Sequence, residues 1–375
     1  MARNILQPGD AAPWFRAKAS NNPNFDFATA AGRYMILSFF GSMDNPASAA
    51  AIHYLTSELR PLLNDDRIAF FGISIDEKDE QGRVHEIIPG IRYFWDTDHA
   101  VSKLYGALGG KKNAEGKNIY EPFTLVLDPM MRVLVNIPID GEHNASLKAF
   151  LDDLPAQMPS SAAPVLILPR VFEPEFCREL IALYETHGGE ASGFMREVNG
   201  QTIALHDSKI KRRKDFAFEE GEQYQPLRNE IMVRLKRRLL PEIEKAFQFK
   251  ATRIERYIVS CYESEERGYF RAHRDNTTKG TAHRRFACTI NLNAEDYEGG
   301  NLRFPEFGSL TYRAPTGGAA VFSCSLLHEA TPVTSGKRYA FLPFFYDEAS
   351  AKIRQENLQF VAEENRKRPT TDTQN

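Results

Sequence analysis

The sequence predicts two domains of different fold class: an α/β layered domain, then an all-β domain with two helices in front of it. Three observations carry this. Continuous apolar runs alternate with helical stretches through the first 150 residues, a proline-rich break follows, and from 253 to 346 the pattern changes to short β-rich runs punctuated by Gly, Pro and Asn. A strand that is apolar at every position is buried on both faces, which predicts helices on both sides of the first sheet.

In the first domain, 34–40 reads as a buried strand, 47–63 as an Ala-rich helical stretch, and 68–75 as a second buried strand closed by Asp76. Residues 123–128 form a third, which turns at Pro129 and returns as 133–137; a helix over 145–154 follows. The segment 155–164 holds three prolines among Ser and Ala, the composition of a linker, and separates domains over 5–154 and 165–347. Beyond it, 174–187 reads as a helix that starts at a proline and stops at Gly188-Gly189. Residues 192–224 are polar and suggest long loops around short strands, and 224–247 is a longer helical stretch. The segment 348–375 is a polar tail, its last ten residues expected to be disordered.

Bulk composition narrows the partners. With 42% hydrophobic residues, 26% charged and a net charge of -3, the chain argues for neither a nucleic-acid binder nor a membrane-surface protein. Two basic runs, 209–214 and 234–238, are read first as solvated surface, the first with a minor option of gating an anionic substrate. The N-terminal residues hold no apolar stretch of signal type and no run approaches membrane-spanning length, so a cytoplasmic location is expected. Cys177, Cys261, Cys288 and Cys324 show no CxxC spacing and are expected to be buried, reduced thiols.

The motif with chemical content is His273-Arg274-Asp275, the one HxD or HxE among nine histidines. In an extended chain His273 and Asp275 project from the same side. His328 follows 53 residues after Asp275, and Arg338 lies ten residues beyond it at the start of a strand. Two imidazoles and a carboxylate fill one face of an octahedron around a non-haem Fe(II) and leave the other face open. An Arg nearby offers a planar, permanently charged fork for a carboxylate. His283 is read as surface or near the ligands, in a loop that could close over substrate, and His206-Asp207 as a loop pair.

Residues 165–347 resemble the Fe(II)/2-oxoglutarate-dependent dioxygenases of the prolyl 4-hydroxylase-like branch. The likeness runs through Glu298-Gly299-Gly300-Asn301-Leu302-Arg303-Phe304-Pro305, then Pro315-Thr316-Gly317-Gly318, then His328 to Tyr339. It implies a double-stranded β-helix, or jelly roll, with supporting helices. It also implies His273, Asp275 and His328 as iron ligands, Arg338 as partner of the 2-oxoglutarate distal carboxylate, and Tyr262 as a further co-substrate contact. The spacing from Tyr262 to the HxD motif differs from the family's by one residue. The implied reaction consumes 2-oxoglutarate and O2, hydroxylates an unactivated C–H bond, releases succinate and CO2, and draws on ascorbate as an optional reductant. A prolyl or other protein or peptide side chain is the implied substrate, with a small molecule as the other option. Gly299-Gly300 is read as a tight turn between strands where a side chain would clash, and Pro332 and Gly336 as setting the turn that aims Arg338.

Residues 5–154 resemble the peroxiredoxin branch of the thioredoxin fold, through Gly9-Asp10-Ala11-Ala12-Pro13-Trp14-Phe15, the strand–helix unit over 34–63, and Pro122 to Asp128. Aligning Phe39-Phe40-Gly41 with the family's strand end puts Ser48 at the peroxidatic cysteine position and Asn45 at its usual threonine. The first 176 residues contain no cysteine, and a serine hydroxyl does not cycle with peroxide as a thiolate does. This domain is therefore expected to be non-catalytic, and to dock a protein partner or support a homodimer. The competing readings are a thiol peroxidase with an appended β domain, which lacks its cysteine, and a non-catalytic β-helix used for binding, which would require a broken triad where none of the four key residues is missing.

Overall fold

The computed structural model describes residues 5–20, 22–157, 160–362 and 370–372. The chain divides into two compact units: Met1–Ser161 with Pro305–Ser309, and Ala162–Phe304 with Leu310–Asn375.

The first unit is a seven-stranded sheet in the order Asn22–Asp26, Arg16–Ala19, Ile91–Trp95, Ile68–Ser74, Tyr34–Gly41, Phe123–Leu127, Val133–Pro138. Its three central strands are parallel, and Phe123–Leu127 and Val133–Pro138 add antiparallel to one side. Alternate side chains of these strands go to opposite faces. Ile36, Phe40 and Phe70 pack beneath helices Pro46–Thr56 and His143–Asp152, together with Ile52, Leu55 and Leu147. The second helical layer expected on the other face is thin. Phe39, Phe71 and Phe94 are covered there mainly by the rings of Phe15, Phe27 and Tyr105.

At the start of Pro46–Thr56 the Asn45 side chain accepts a hydrogen bond from the Ser48 amide at 3.1 Å, and the Ser48 hydroxyl donates to the Phe40 carbonyl at 2.6 Å. Ser48 is fully buried, so its hydroxyl completes the backbone hydrogen bonding at the end of a strand and presents nothing to solvent.

The second unit is built on two antiparallel sheets. The larger includes, in order, Lys214–Ala217, Ile258–Glu263, Lys337–Phe341, Phe286–Asn291, Phe344–Tyr346 and Arg253–Glu255. The smaller runs Lys211–Arg212, Tyr269–His273, His328–Ala330, Leu302–Arg303, Thr311–Tyr312. Helices Pro174–His187, Gln225–Arg238 and Leu240–Phe247 cover the outer face of the larger sheet, where Leu180, Ile231, Leu235 and Ile243 join Val259, Cys261, Ile290 and Phe341 in one core. The period of two then sends Ser260, Tyr262, Arg338 and Ala340 to the inner face.

Several elements differ from the sequence expectation. The helical stretch over 224–247 is two helices broken at Leu239, because Pro241 supplies no amide to continue the first and instead opens the second. The polar tail contributes a helix, Glu348–Asn357, whose N-cap Asp347 accepts from the Ser350 amide at 2.8 Å. Of the last ten residues, Thr370–Asp372 pair as a strand with Arg253–Glu255; the others lie outside the described residues. No helix of the described residues is long and apolar enough to cross a membrane.

Candidate metal and co-substrate site

The strand register brings the two histidines together. His273 ends the Tyr269–His273 strand and stands directly opposite His328 on the neighbouring strand. The Asp275 amide donates to the Cys324 carbonyl at 3.0 Å, which turns the chain so that its carboxylate points back at both rings. Asp275 Oδ1 lies 3.5 Å from His273 Nε2, and Oδ2 lies 3.3 Å from His328 Nε2. The ligand atoms of these three residues all fall within 4.8 Å of one another, the one such group among the described residues.

Each imidazole is held by its other nitrogen. His273 Nδ1 donates to the Arg271 carbonyl at 2.8 Å and His328 Nδ1 to the Leu326 carbonyl at 3.0 Å. A carbonyl only accepts, so both Nδ1 atoms carry the proton and both Nε2 lone pairs face the common point. Phe270 stacks on His273 at 3.5 Å between ring centroids, and Phe322 packs against His328 at 4.6 Å. Burial in this apolar wall, with His328 alongside, lowers the His273 pKa to about 4. Burial alone would raise the Asp275 carboxyl; His328 and His273 outweigh it and hold it well below the usual carboxylate range. A divalent cation takes deprotonated ligand atoms, and the N2O donor set suits iron.

Arg338 stands on the opposite wall of the same pocket, so the pocket lies between the two sheets. It is 2% exposed, and its Nε and Nη1 have no hydrogen-bond partner among the described residues. A buried guanidinium left this way costs free energy unless an anion completes it, which fits a carboxylate co-substrate. Glycine turns seat it. Gly300 adopts φ +61°, and a Cβ there would sit 3.0 Å from Arg338 Cδ. Gly299 at φ +72° and Gly336 at φ +74° would each drive a Cβ into a backbone carbonyl, of Pro332 and of Asp296 respectively.

Tyr262 pairs directly with Arg338 across the two strands, 3% exposed, with the Arg338 guanidinium 4.9 Å from its ring centroid. The pocket thus brings together all five residues singled out from sequence: Tyr262, His273, Asp275, His328 and Arg338. Two further cations line it, Arg213 and Arg256. Arg213 belongs to the basic run read mainly as surface, yet Lys211 and Arg213 are each 7% exposed and alternate with the exposed Arg212. In the sequence all three positions are basic, so nothing there separates the buried from the exposed. Arg256 has no signal in the sequence either.

Of the two readings of His283, the surface one is corrected. His283 is 2% exposed, not a surface residue; its Nε2 meets Glu255 Oε2 at 2.6 Å, and Arg284 closes the buried trio. The segment around it is fastened, since the Gly280 amide donates to Thr202 Oγ1 at 3.0 Å and Thr278 and Thr281 are buried. His206 and Asp207 sit on an exposed loop away from the pocket lining.

With this geometry in place, comparison with known proteins defines the class. Residues 257–346 match the 2OG-Fe(II) oxygenase superfamily and residues 8–135 the AhpC/TSA family, so the chain carries a 2OG-Fe(II) oxygenase domain behind an AhpC/TSA, thioredoxin-like domain. Among particular proteins, PKHD-type hydroxylases from Synechococcus sp. strains JA-2-3B'a(2-13) and JA-3-3Ab are each 33% identical over 118 residues, 29% of this chain and 49% of theirs. The chain therefore spans about half the length of the curated relatives it matches. Of solved structures, the prolyl hydroxylase from Trichoplax adhaerens, in complex with a hypoxia inducible factor oxygen degradation domain peptide fragment, is similar over 52% of this chain and 86% of its own, at 18% identity and TM-score 0.38. The thiol peroxidase from Chromobacterium violaceum is similar over 40% of this chain and 90% of its own, at 14% identity and TM-score 0.31.

Proposed function

We propose that the chain is a 2-oxoglutarate-dependent dioxygenase that hydroxylates an unactivated C–H bond of a prolyl or other peptide side chain, with release of succinate and CO2. The observation that carries the reading is a triad of converging ligand atoms facing, across one pocket, a buried Arg338 whose Nε and Nη1 have no hydrogen-bond partner among the described residues. His273, Asp275 and His328 would hold Fe(II), which, with 2-oxoglutarate and O2, supplies the oxidising power. The protein's residues do the rest. Arg338 orients the distal carboxylate, Tyr262 contacts it from the paired strand, and Phe270 and Phe322 keep water from the ligand imidazoles.

The first unit, on this reading, contributes docking of a protein substrate or of a second copy and no chemistry of its own. A 165–375 fragment that matched full-length turnover and oligomeric state would remove that role. Peptide libraries incubated with the full chain, Fe(II), 2-oxoglutarate and O2, with and without ascorbate, test the substrate class by a one-oxygen mass gain. A turnover confined to non-peptide compounds would replace the peptide assignment.

A further inference from the structure

The pocket wall opposite the metal ligands has a feature that the assigned roles leave unused. Lys214 pairs with Cys261, so Arg213, one residue earlier, comes opposite Tyr262, and Tyr262 in turn pairs with Arg338. Residues opposite one another in an antiparallel sheet share a face. Arg213, Tyr262 and Arg338 therefore form a row across three strands, with guanidinium carbons 5.7 and 4.9 Å from the tyrosine ring centroid.

Arg213 is itself rigidly held. Its Nη2 donates to Asp215 Oδ2 at 2.7 Å and to Ser192 Oγ at 3.0 Å, while Asp215 Oδ1 accepts from Ser260 Oγ at 2.6 Å. Its Nη1 donates to the Tyr262 hydroxyl oxygen at 3.3 Å. A guanidinium only donates, so the tyrosine oxygen accepts here and its own proton is left to point elsewhere. The neighbour across the pair is Arg338, which cannot accept. An anion bound to Arg338 can.

We infer that Arg213 is a positioning residue, one that orients the Tyr262 hydroxyl as a proton donor to the carboxylate held by Arg338. The inference rests on the proposed 2-oxoglutarate site and adds the device that orients one of its donors. Arg213 acts through Tyr262 and need not touch the co-substrate.

The test is a double-mutant cycle on 2-oxoglutarate affinity, measured calorimetrically on the full chain loaded with Mn(II) without O2, so that no turnover is involved. Tyr262→Phe and Arg213→Gln should each weaken 2-oxoglutarate about tenfold, the scale of one hydrogen bond to a charged group. The double variant should be no weaker than either single one, with Mn(II) affinity unchanged throughout. Losses that multiply to about a hundredfold, or an Arg213→Gln chain that binds like wild type, would overturn the inference. If Arg213→Gln fails to fold, Arg213→Lys serves. A single ammonium cannot satisfy Asp215 and Tyr262 together as the fork does, so it should weaken binding in the wild-type background and have no effect on Tyr262→Phe. Equal losses in both backgrounds would count against the inference. Arg338→Gln is the separate control: if it binds 2-oxoglutarate like wild type, the underlying site assignment fails, whatever Arg213 does.

Discussion

At the scale of single residues, His273 and His328 reach one point because they are register partners, and backbone carbonyls fix both tautomers. The His273 and Asp275 pair was legible from its i, i+2 spacing, although the strand ends at His273 and Asp275 lies in the turn beyond it. The Nδ1 contacts, each to the carbonyl two residues earlier, were not, because they depend on the side-chain rotamer. Removing one ligand, as in His273→Ala or Asp275→Ala, should weaken Mn(II) binding by at least about a hundredfold, beyond what loss of an outer-shell contact costs; titration calorimetry would read it. A second residue-scale prediction concerns His143 in the first unit. It is 1% exposed, held between Thr124 Oγ1 and Asn144 Oδ1 at 2.9 Å each, and burial lowers its pKa. The unfolded chain protonates this imidazole near pH 6.5 and the folded chain does not, so its contribution to stability is intact above about 6.5 and declines as pH falls below it. His143→Gln should therefore show a shallower fall in melting temperature between pH 7 and 5 than wild type. Parallel curves would assign the acid sensitivity to other groups.

Among the secondary-structure elements, those with local signals were readable and those set by tertiary pairing were not. Helix Pro174–His187 has its proline at the start and Gly188 at the end, and both bounds follow from these residues. The split of 224–247 was signalled by Pro241, whereas the burial of Lys211 and Arg213 depends on a strand that joins the smaller sheet only in the fold. The Gly299-Gly300 corner was visible as a turn; its purpose, clearance for Pro332 and Arg338, was not. Gly299→Ala would place a side chain at φ +72° against the Pro332 carbonyl. The left-handed conformation alone costs about 1–2 kcal/mol, and the collision adds to it. Chemical denaturation should show the second unit's transition shifted down, with 2-oxoglutarate affinity reduced as Arg338 is displaced. An unchanged affinity would uncouple this corner from the co-substrate wall.

For the whole molecule, the proposed function places redox chemistry in one unit. The first unit has a seven-stranded sheet and a buried Ser48, the residue that the resemblance sets at the peroxidatic position. The four cysteines, all in the second unit, are buried, and burial pushes Cys177 and Cys261 up to about 12 and raises Cys288 and Cys324 as well. A thiol so protonated is a poor nucleophile toward peroxide. The full chain should show no thiol-dependent consumption of hydrogen peroxide above the buffer rate. The division of the sequence at the proline-rich segment was legible from composition; the place of Pro305–Ser309 within the first unit was not, because nothing local distinguishes that segment. The account's central claim is that the pocket bounded by His273, Asp275, His328 and Arg338 turns over 2-oxoglutarate. The direct measurement is O2-dependent succinate formation by the full chain with Fe(II) and 2-oxoglutarate, wild type beside His273→Ala. The account predicts succinate from wild type and background from the variant; equal amounts from both would contradict it.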